Sequence, residues 1–138
     1  LTMTFEWIDE QRDFLDEHTW AVLATGRQDG SPQQSMIGYA VDDEGRLLVS
    51  AKAYTAKWHN AVRQPSVSLT IADGREHLVV YGLAQAIDVD PVRAELTAQV
   101  FAALSGNPAP DPSAIIPMLD EQKRTVLRIT PDKTIFHR

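Results

Sequence analysis

The sequence contains no cysteine and no long apolar run. Without cysteine, the chain cannot form a disulfide, a thiolate metal site or a thiol nucleophile. No stretch approaches the roughly 20 consecutive apolar residues that a membrane-spanning helix needs. The first residues, LTMTFEWIDE, lack the basic-then-apolar pattern of a secretory signal. We therefore expect a soluble, cytoplasmic protein with no membrane partner.

Basic residues are also scarce. The formal net charge is −6 and the isoelectric point is about 5.1, which argues against the broad basic face that nucleic-acid binding requires. The four histidines show no metal-binding spacing, and neither a G-x-S-x-G nucleophile motif nor a glycine-rich phosphate loop occurs. The sequence therefore predicts no nucleic-acid partner and no metal site, and the catalytic residues are left unknown.

The sequence does contain a series of strand patterns separated by turns. SVSLTIA, residues 66–72, alternates strictly between polar and apolar residues, as a half-buried strand does. The Asp29-Gly30 pair between two strand-like runs is a hairpin signal. Helical spacing occurs near residues 6–18, 55–64 and 91–104. With 138 residues and 43% hydrophobic content, we expect one mainly β domain over residues 1–138, a six- to seven-stranded antiparallel barrel, closed or nearly closed, with two or three short α-helices.

Four further features complete the predicted order of elements. QQSMIGYAVD, residues 33–42, reads as one strand, and Gly82 predicts a bulge or a sharp bend in a long strand. The C-terminal run RTVLRITPDKTIFHR predicts two short strands around Pro131-Asp132. SGNPAPDPS, residues 105–113, is rich in proline and glycine, and we expect it to be a surface loop.

Positive charge is concentrated in one part of this acidic chain. Residues 46–72 hold four basic and no acidic side chains, which gives this stretch a formal charge of +4. The other 111 residues therefore carry a formal charge of −10, and the two sum to the overall −6. Within this stretch, the strand ending at Ser50 delivers Lys52 and Lys57 to one place. The sequence predicts a local anion site here, and the alternative is that both lysines are solvated surface charges.

A short helix follows that strand. Thr55 is a favourable N-cap and Pro65 ends the helix. A helix start attracts phosphate through its free N–H groups and its dipole. The helical spacing directs one set of side chains inward and another to the adjoining face; the inward set is Trp58, Ala61 and Val62, and the adjoining set is Lys57 and Asn60.

The chain resembles a known family in the order of these motifs. WAVLATGRQDGSPQQSMIGYAVDDEGRLLVSAKAYTAKWHNAVRQPSVSLTI, followed by YGLAQAI and RTVLRITPDK, is similar to the flavin and deazaflavin proteins related to pyridoxamine 5′-phosphate oxidase. The similarity covers most of the chain and is strongest to the small members that use the deazaflavin coenzyme F420. It implies the FMN-binding split barrel, a homodimer with cofactor sites at the subunit interface.

The resemblance also implies cofactor contacts. Lys57 corresponds to the lysine of the family's Ala-Lys pair, which contacts the cofactor phosphate. The other implied contacts lie at a strand end, at the helix start or on the strand that faces the cofactor ring: Ser50, Ala51, Lys52, Thr55, Ala56, Asn60, Gln33 and Ser35. Tyr54-Thr55 stands where many deazaflavin-binding relatives have Pro-Arg. That difference removes a guanidinium able to bind phosphate in a bidentate manner.

The activity implied by the resemblance is F420-dependent hydride transfer to or from a small unsaturated or conjugated organic substrate. The cofactor carries the hydride chemistry, so no protein nucleophile is needed. Gln33, Ser35 and Tyr39 are polar groups able to orient the ring or donate a proton. Two alternatives stay open: an FMN-dependent oxidase or reductase on the same fold, and a non-catalytic protein that binds the cofactor or haem.

Overall fold

Alternating apolar and polar residues build a single curled antiparallel sheet. The computed structural model describes residues 4–138. In chain order the elements are α1 (Asp9–Glu17), β1 (Trp20–Gly26), β2 (Pro32–Gly38), β3 (Ala40–Val41), β4 (Leu47–Lys52), α2 (Ala56–Arg63), β5 (Ser66–Asp73), β6 (Glu76–Ile87), α3 (Val92–Ser105), α4 (Pro112–Gln122) and β7 (Arg124–His137). The seven strands are ordered β2-β1-β5-β6-β7-β4-β3. This confirms the predicted mainly β, split-barrel fold.

The core lies inside the curl of the sheet. Every second residue of β5 points inward, so that Val67, Leu69 and Ile71 are buried while Ser68 and Thr70 between them are partly exposed. Helix α1 adds Phe14 and Leu15, which are also buried. Because each fully buried side chain of this size stabilises the fold by about 1.5–3 kcal/mol, this alternation specifies which face of each strand turns inward.

Strand β7 runs without a break through Pro131-Asp132, so the prediction of two short strands is wrong. The register of β6 against β7 shifts at Gly82, which pairs with Pro131 while Tyr81 pairs with Lys133. Asp132 is therefore the extra residue of a bulge. A Cβ on Gly82 would lie 2.5 Å from the Thr130 carbonyl oxygen. The bulge predicted at Gly82 is confirmed, and it lets proline enter a long strand without ending it.

The predicted strand 33–42 is interrupted at Tyr39, between β2 and β3. The Tyr39 backbone N–H donates to the Thr19 carbonyl at 3.0 Å. Its side chain is buried, and the hydroxyl donates to the Leu15 carbonyl at 2.7 Å. Tyr39 thus ties the end of β2 to helix α1.

Four helices pack against the sheet within residues 4–138, and α4 is the one that the sequence did not predict. It begins where the expected loop of residues 105–113 ends. Asp111 caps it, with Oδ1 accepting from the Ser113 N–H at 3.1 Å, and Pro112 occupies its first turn. Helices α3 and α4 pack on each other and on β7. They therefore cover the outer face of the sheet beside β4 and β7.

Buried Arg93 fixes the two helices to the start of β7. Its guanidinium donates to both carboxylate oxygens of Asp90, at 3.1 and 2.7 Å, and to Asp120 at 2.7 Å. Nη1 also donates to the Arg124 carbonyl at 3.2 Å. One side chain thus holds the start of α3, the end of α4 and the first residue of β7.

His18 links α1 to the turn between β5 and β6. Nδ1 lies 2.7 Å from the Phe14 carbonyl oxygen, and Nε2 lies 3.1 Å from an Asp73 carboxylate oxygen. The carbonyl hydrogen bond is the main cause that raises the pKa of His18; burial opposes the rise and Asp73 adds to it. Since both nitrogens face acceptors, the protonated ring satisfies this site best.

Within residues 4–138, the helices are too short or too polar to cross a lipid bilayer.

Candidate functional site

The pairing of β4 with β7 brings together charged residues that are far apart in the sequence. Lys52, at the end of β4, lies directly opposite Arg124, at the start of β7, and Ser50 lies opposite Val126. Residues 50 and 52 share one face of β4, because side chains alternate along a strand. This face points away from the core, toward α3 and α4.

A cavity of about 280 Å³ opens beside this strand end. It lies between β1, β2, the start of α2 and the C-terminal half of α3. Its lining consists of Trp20, Met36, Ile37, Gly38, Ser50, Lys57, Val100, Phe101, Leu104 and Arg124. Lys57 and Arg124 are the charged members, and no carboxylate is among these residues. We call it the basic cavity; its charged lining residues are both basic, and most of the others are apolar.

Arg124 retains unused donors in the basic cavity. Its Nε donates to Gln122 Oε1 at 2.7 Å, and its Nη1 donates to Ser50 Oγ at 3.3 Å. A guanidinium has five N–H donors, so three find no acceptor within the described part of the chain. Lys57 likewise makes no side-chain hydrogen bond or ion pair with residues 4–138. Both cations are therefore available to an anion.

The start of α2 borders the same cavity. Thr55 occupies the predicted N-cap position, but its Oγ1 donates to the Lys52 carbonyl at 2.7 Å and does not cap the helix. The first N–H groups of the helix, including those of Ala56 and Lys57, thus have no side-chain cap. The dipole and these donors add to the positive potential beside Lys57.

Most of the predicted contacts do not line the basic cavity, among them two residues of β4. Ala51 is only 1% exposed, with its side chain in the core and its carbonyl accepting from Thr125 Oγ1 at 2.6 Å. Lys52 is partly exposed beside Arg124 but does not line the cavity. Of the nine predicted contacts, Ser50 and Lys57 line it.

Asn60, Gln33 and Ser35 belong to a second polar group, outside the basic cavity. Asn60 Nδ2 donates to Thr25 Oγ1 at 3.2 Å, and Thr25 Oγ1 donates to Gln33 Oε1 at 3.3 Å. Gln33 Nε2 in turn donates to Ser35 Oγ at 3.1 Å. Asn60 Oδ1 also accepts from Arg63 Nη2 at 3.0 Å. We call these residues the polar chain; it runs from α2 across β1 to β2.

Tyr39 is not available to a ligand, so the expectation that it could orient a ring or donate a proton is wrong. The residue is 2% exposed and its hydroxyl is bonded to a backbone carbonyl. Burial raises the pKa of Tyr39 well above its usual value.

Val62 of α2 also differs from expectation: it is 54% exposed, whereas Trp58 and Ala61 are buried as predicted.

Other cavities lack the charge of the basic cavity. A cavity of about 320 Å³ lies on the outer face of β1, β5 and β6, where Asp132 is the charged lining residue. Another, of about 340 Å³, contains Arg128 together with Asp88 and Asp90. Within residues 4–138, His, Asp and Glu side chains do not form a group of three able to hold a metal ion. The basic cavity is therefore the strongest candidate for binding an anionic ligand.

The residues of the basic cavity fit a ligand that joins a phosphate to an aromatic ring system. Lys57, Arg124 and Ser50 supply cationic and hydroxyl donors, which suit phosphate oxygens. Trp20 and Phe101 belong to the apolar wall, which suits a ring. Sequence reasoning missed Arg124 and this wall, since both depend on pairing and packing between distant segments.

Comparisons with solved structures show the same fold. A conserved hypothetical protein from Mycobacterium tuberculosis is 27% identical, with a TM-score of 0.78, over 97% of this chain and 86% of that one. An F420 reductase is 24% identical, with a TM-score of 0.67, over 90% of this chain and 94% of that one. A haem storage protein from Vibrio cholerae is 19% identical, with a TM-score of 0.73, over 96% of this chain and 95% of that one.

Proteins of curated function give no match to the sequence. The family model for pyridoxamine 5′-phosphate oxidase, in contrast, matches residues 8–138, nearly the whole chain. The match includes both strands that meet at the basic cavity, the helix that carries Lys57 and the polar chain. The chain therefore belongs to the pyridoxamine 5′-phosphate oxidase family.

Proposed function

We propose that the protein is an F420-dependent oxidoreductase that transfers a hydride between the deazaflavin and a small unsaturated or conjugated organic substrate. The observation that carries the proposal is the basic cavity. Its lining combines two cations and a hydroxyl with an apolar wall, and no carboxylate is among the lining residues. In a chain of net charge −6, such a local excess of positive charge favours a phosphate-bearing ligand.

The residues of the chain would bind and orient the cofactor. Lys57 and Arg124 would neutralise the phosphate, and Ser50 would donate a hydrogen bond to it. Gln33 and Ser35, at the β2 end of the polar chain, are partly exposed, and they would offer hydrogen bonds to the polar edge of the ring. A deazaflavin bound there would supply the hydride chemistry. No side chain of the site is required as a nucleophile.

The choice of F420 over FMN is supported by the similarity to an F420 reductase over 90% of the chain, at 24% identity. The cavity itself does not discriminate, because both cofactors carry a phosphate beside a three-ring system. FMN is therefore the alternative cofactor, and direct titration decides between them.

We further propose that two copies of the chain form the active unit. Trp20 and Met36, at the mouth of the basic cavity, are 58% and 66% exposed. Tyr81, Leu83 and Ile135, on β6 and β7, are each at least 40% exposed. Exposed apolar side chains in such number are typical of an interface. A cavity of about 280 Å³ is also small for a whole cofactor, so a partner subunit would complete the site.

Two measurements test the proposed F420-dependent activity. The protein is titrated separately with F420 and FMN while the quenching of cofactor fluorescence is followed; the tighter ligand names the cofactor. Reduced cofactor is then offered with quinones, enones and tetrapyrroles, and its oxidation is recorded. Turnover supports an enzyme, whereas tight binding without turnover indicates a carrier. Binding of neither cofactor would overturn the proposal, and binding of haem instead would favour a haem-binding protein.

A further inference from the structure

We propose that Arg124 is a phosphate-binding residue of the basic cavity and that Gln122 positions its guanidinium. This inference rests on the proposed function, since it concerns the same ligand. It adds that recognition of the phosphate depends on a residue contributed by the last strand as well as on Lys57 of α2. The ligands it concerns are flavin or deazaflavin phosphates, as opposed to their phosphate-free analogues.

The first argument is that the hydrogen-bond acceptors of Arg124 are neutral groups. Within residues 4–138, four of the eight other arginines form ion pairs with carboxylates, namely Arg12, Arg46, Arg93 and Arg138. Arg124 forms none with residues 4–138; its acceptors are an amide oxygen and a hydroxyl. Its positive charge is therefore not neutralised by the fold. Arg128 also lacks an ion pair, but its cavity contains two carboxylates. Arg124 instead lies on a cavity with a second cation and no carboxylate among its lining residues, which favours an anionic partner from outside.

The second argument is geometric. The bond from Nε to Gln122 and the long bond from Nη1 to Ser50 fix the plane of the guanidinium. They leave one N–H on Nη1 and both on Nη2 without acceptors in the described chain. Two N–H groups on neighbouring nitrogens match two oxygens of one phosphate. Lys57, on the same cavity, supplies a second charge to the same group.

The third argument concerns Gln122, the last residue of α4. It is followed by Lys123 in the left-handed conformation, with φ of 56°, which turns the chain into β7. Arg93 also holds this junction by donating to the Arg124 carbonyl at 3.2 Å. Both ends of Arg124, its backbone and its Nε, are thus held before any ligand binds. Such preorganisation lowers the entropic cost of binding.

The chain contains a matched control for Arg124. Arg128 lies four residues further along β7, on the same face and roughly 13 Å away. Its Nε and Nη2 also donate to a glutamine, Gln85 Oε1, at 3.1 and 2.7 Å. Arg128→Gln therefore removes the same charge and a similar amide contact, outside the basic cavity.

The experiment compares four ligands: FMN and riboflavin, which differ by the phosphate alone, and F420 and its chromophore Fo, which lacks the phosphate and the anionic tail attached to it. Dissociation constants are measured by fluorescence quenching for the parent, Arg124→Gln and Arg128→Gln. Arg124→Gln should weaken binding of the phosphate-bearing cofactor by about ten- to hundredfold. Binding of the phosphate-free analogue should change less than about twofold, and Arg128→Gln should bind all four ligands as the parent does.

Gln122→Ala removes the Nε acceptor and tests the positioning role: the preference for the phosphate-bearing cofactors should fall although the guanidinium stays charged. Gln122→Glu tests the free charge of Arg124 without removing the guanidinium. A carboxylate at this place would pair with Arg124 and neutralise it, so the preference for FMN over riboflavin, and for F420 over Fo, should fall about tenfold or more. If Gln122 only stabilised the fold, Gln122→Glu would not change the preference for the phosphate-bearing cofactors. The thermal midpoint should stay unchanged or rise, because the variant adds an ion pair with Arg124. The same variant decides the matter if Arg124→Gln fails to fold.

The outcomes separate the two proposals. If the parent binds neither F420 nor FMN, the proposed function is wrong. If the parent binds a phosphate-bearing cofactor and Arg124→Gln binds it equally well, the proposed function stands and the role of Arg124 is refuted. Equal losses in Arg124→Gln and Arg128→Gln would also refute it, because the effect would then be one of overall charge.

Discussion

Replacing Asn60 by alanine should destabilise the fold. The Asn60 side chain is 7% exposed, and its amide joins α2 to β1 through the bond to Thr25 Oγ1 at 3.2 Å. Its Oδ1 accepts from Arg63 Nη2 at 3.0 Å. Asn60→Ala removes both bonds and cuts the polar chain at its first link. The residue that the resemblance assigns to the cofactor is thus also part of the framework.

The expected magnitude follows from what each partner loses. Thr25 is 2% exposed and its hydroxyl loses the donor supplied by Asn60, which costs about 1–3 kcal/mol for a buried polar group. Arg63 is exposed and still donates to the Gly26 carbonyl at 2.7 Å. The loss of its hydrogen bond to Asn60 therefore adds little to the cost. We therefore expect the free energy of unfolding to fall by about 1–3 kcal/mol.

Urea unfolding, followed by tryptophan fluorescence, measures this effect. All proteins are compared at one concentration, because the stability of an oligomer depends on it. Asn107→Ala, in the exposed loop between α3 and α4, is the control and should leave the midpoint unchanged. Lys57→Ala should change stability by no more than about 0.5 kcal/mol. An Asn60→Ala protein with the midpoint of the parent would refute the structural role of the polar chain.

His18 and Gly82 give two further measurable effects. The folded-state pKa of His18 is raised above 6.5, so its stabilisation is full below that pH and is lost as the pH rises through the folded value. The stability difference between parent and His18→Gln, about 1 kcal/mol or less at pH 5.5, should shrink by pH 8 in urea titrations; a pH-independent difference contradicts this. Gly82→Ala should cost about 1–3 kcal/mol, because its Cβ would meet the Thr130 carbonyl. Gly26→Ala, with ordinary contacts, is the control, and equal thermal midpoints for the two variants would refute the close approach.

Local patterns predicted most of the fold because local chemistry determines those elements. The alternation in β5 and the glycine at the β6 bulge are visible in the sequence and confirmed in the structure. The start of α4 was visible too, since Asp111-Pro112 combines an N-cap with a proline in the first turn. The proline-rich composition around it favoured a loop. The same error occurred at Pro131, where proline was taken to end a strand that the bulge in fact keeps continuous.

The candidate site was only half visible in the sequence. Ser50 and Lys57 lie within one short segment, so their proximity follows from a strand that ends before a helix. Arg124 is 74 residues from Ser50, and the register of β4 against β7 depends on the closure of the whole sheet. No local signal specifies that register. Asn60 was assigned to the ligand by resemblance, whereas its buried contacts with Thr25 appear only when α2 is packed on β1.

The central claim is that the basic cavity binds the phosphate of a flavin-type cofactor, and Lys57→Ala tests it most directly. Dissociation constants for F420 and FMN are measured by fluorescence quenching for the parent, Lys57→Ala and Arg75→Ala, which removes one charge from an exposed turn. We expect Lys57→Ala to weaken binding by about ten- to hundredfold, and added salt to weaken the parent more than this variant. Arg75→Ala should bind as the parent does. If Lys57→Ala binds both cofactors with the affinity and salt dependence of the parent, Lys57 is a solvated surface charge and the claim is contradicted.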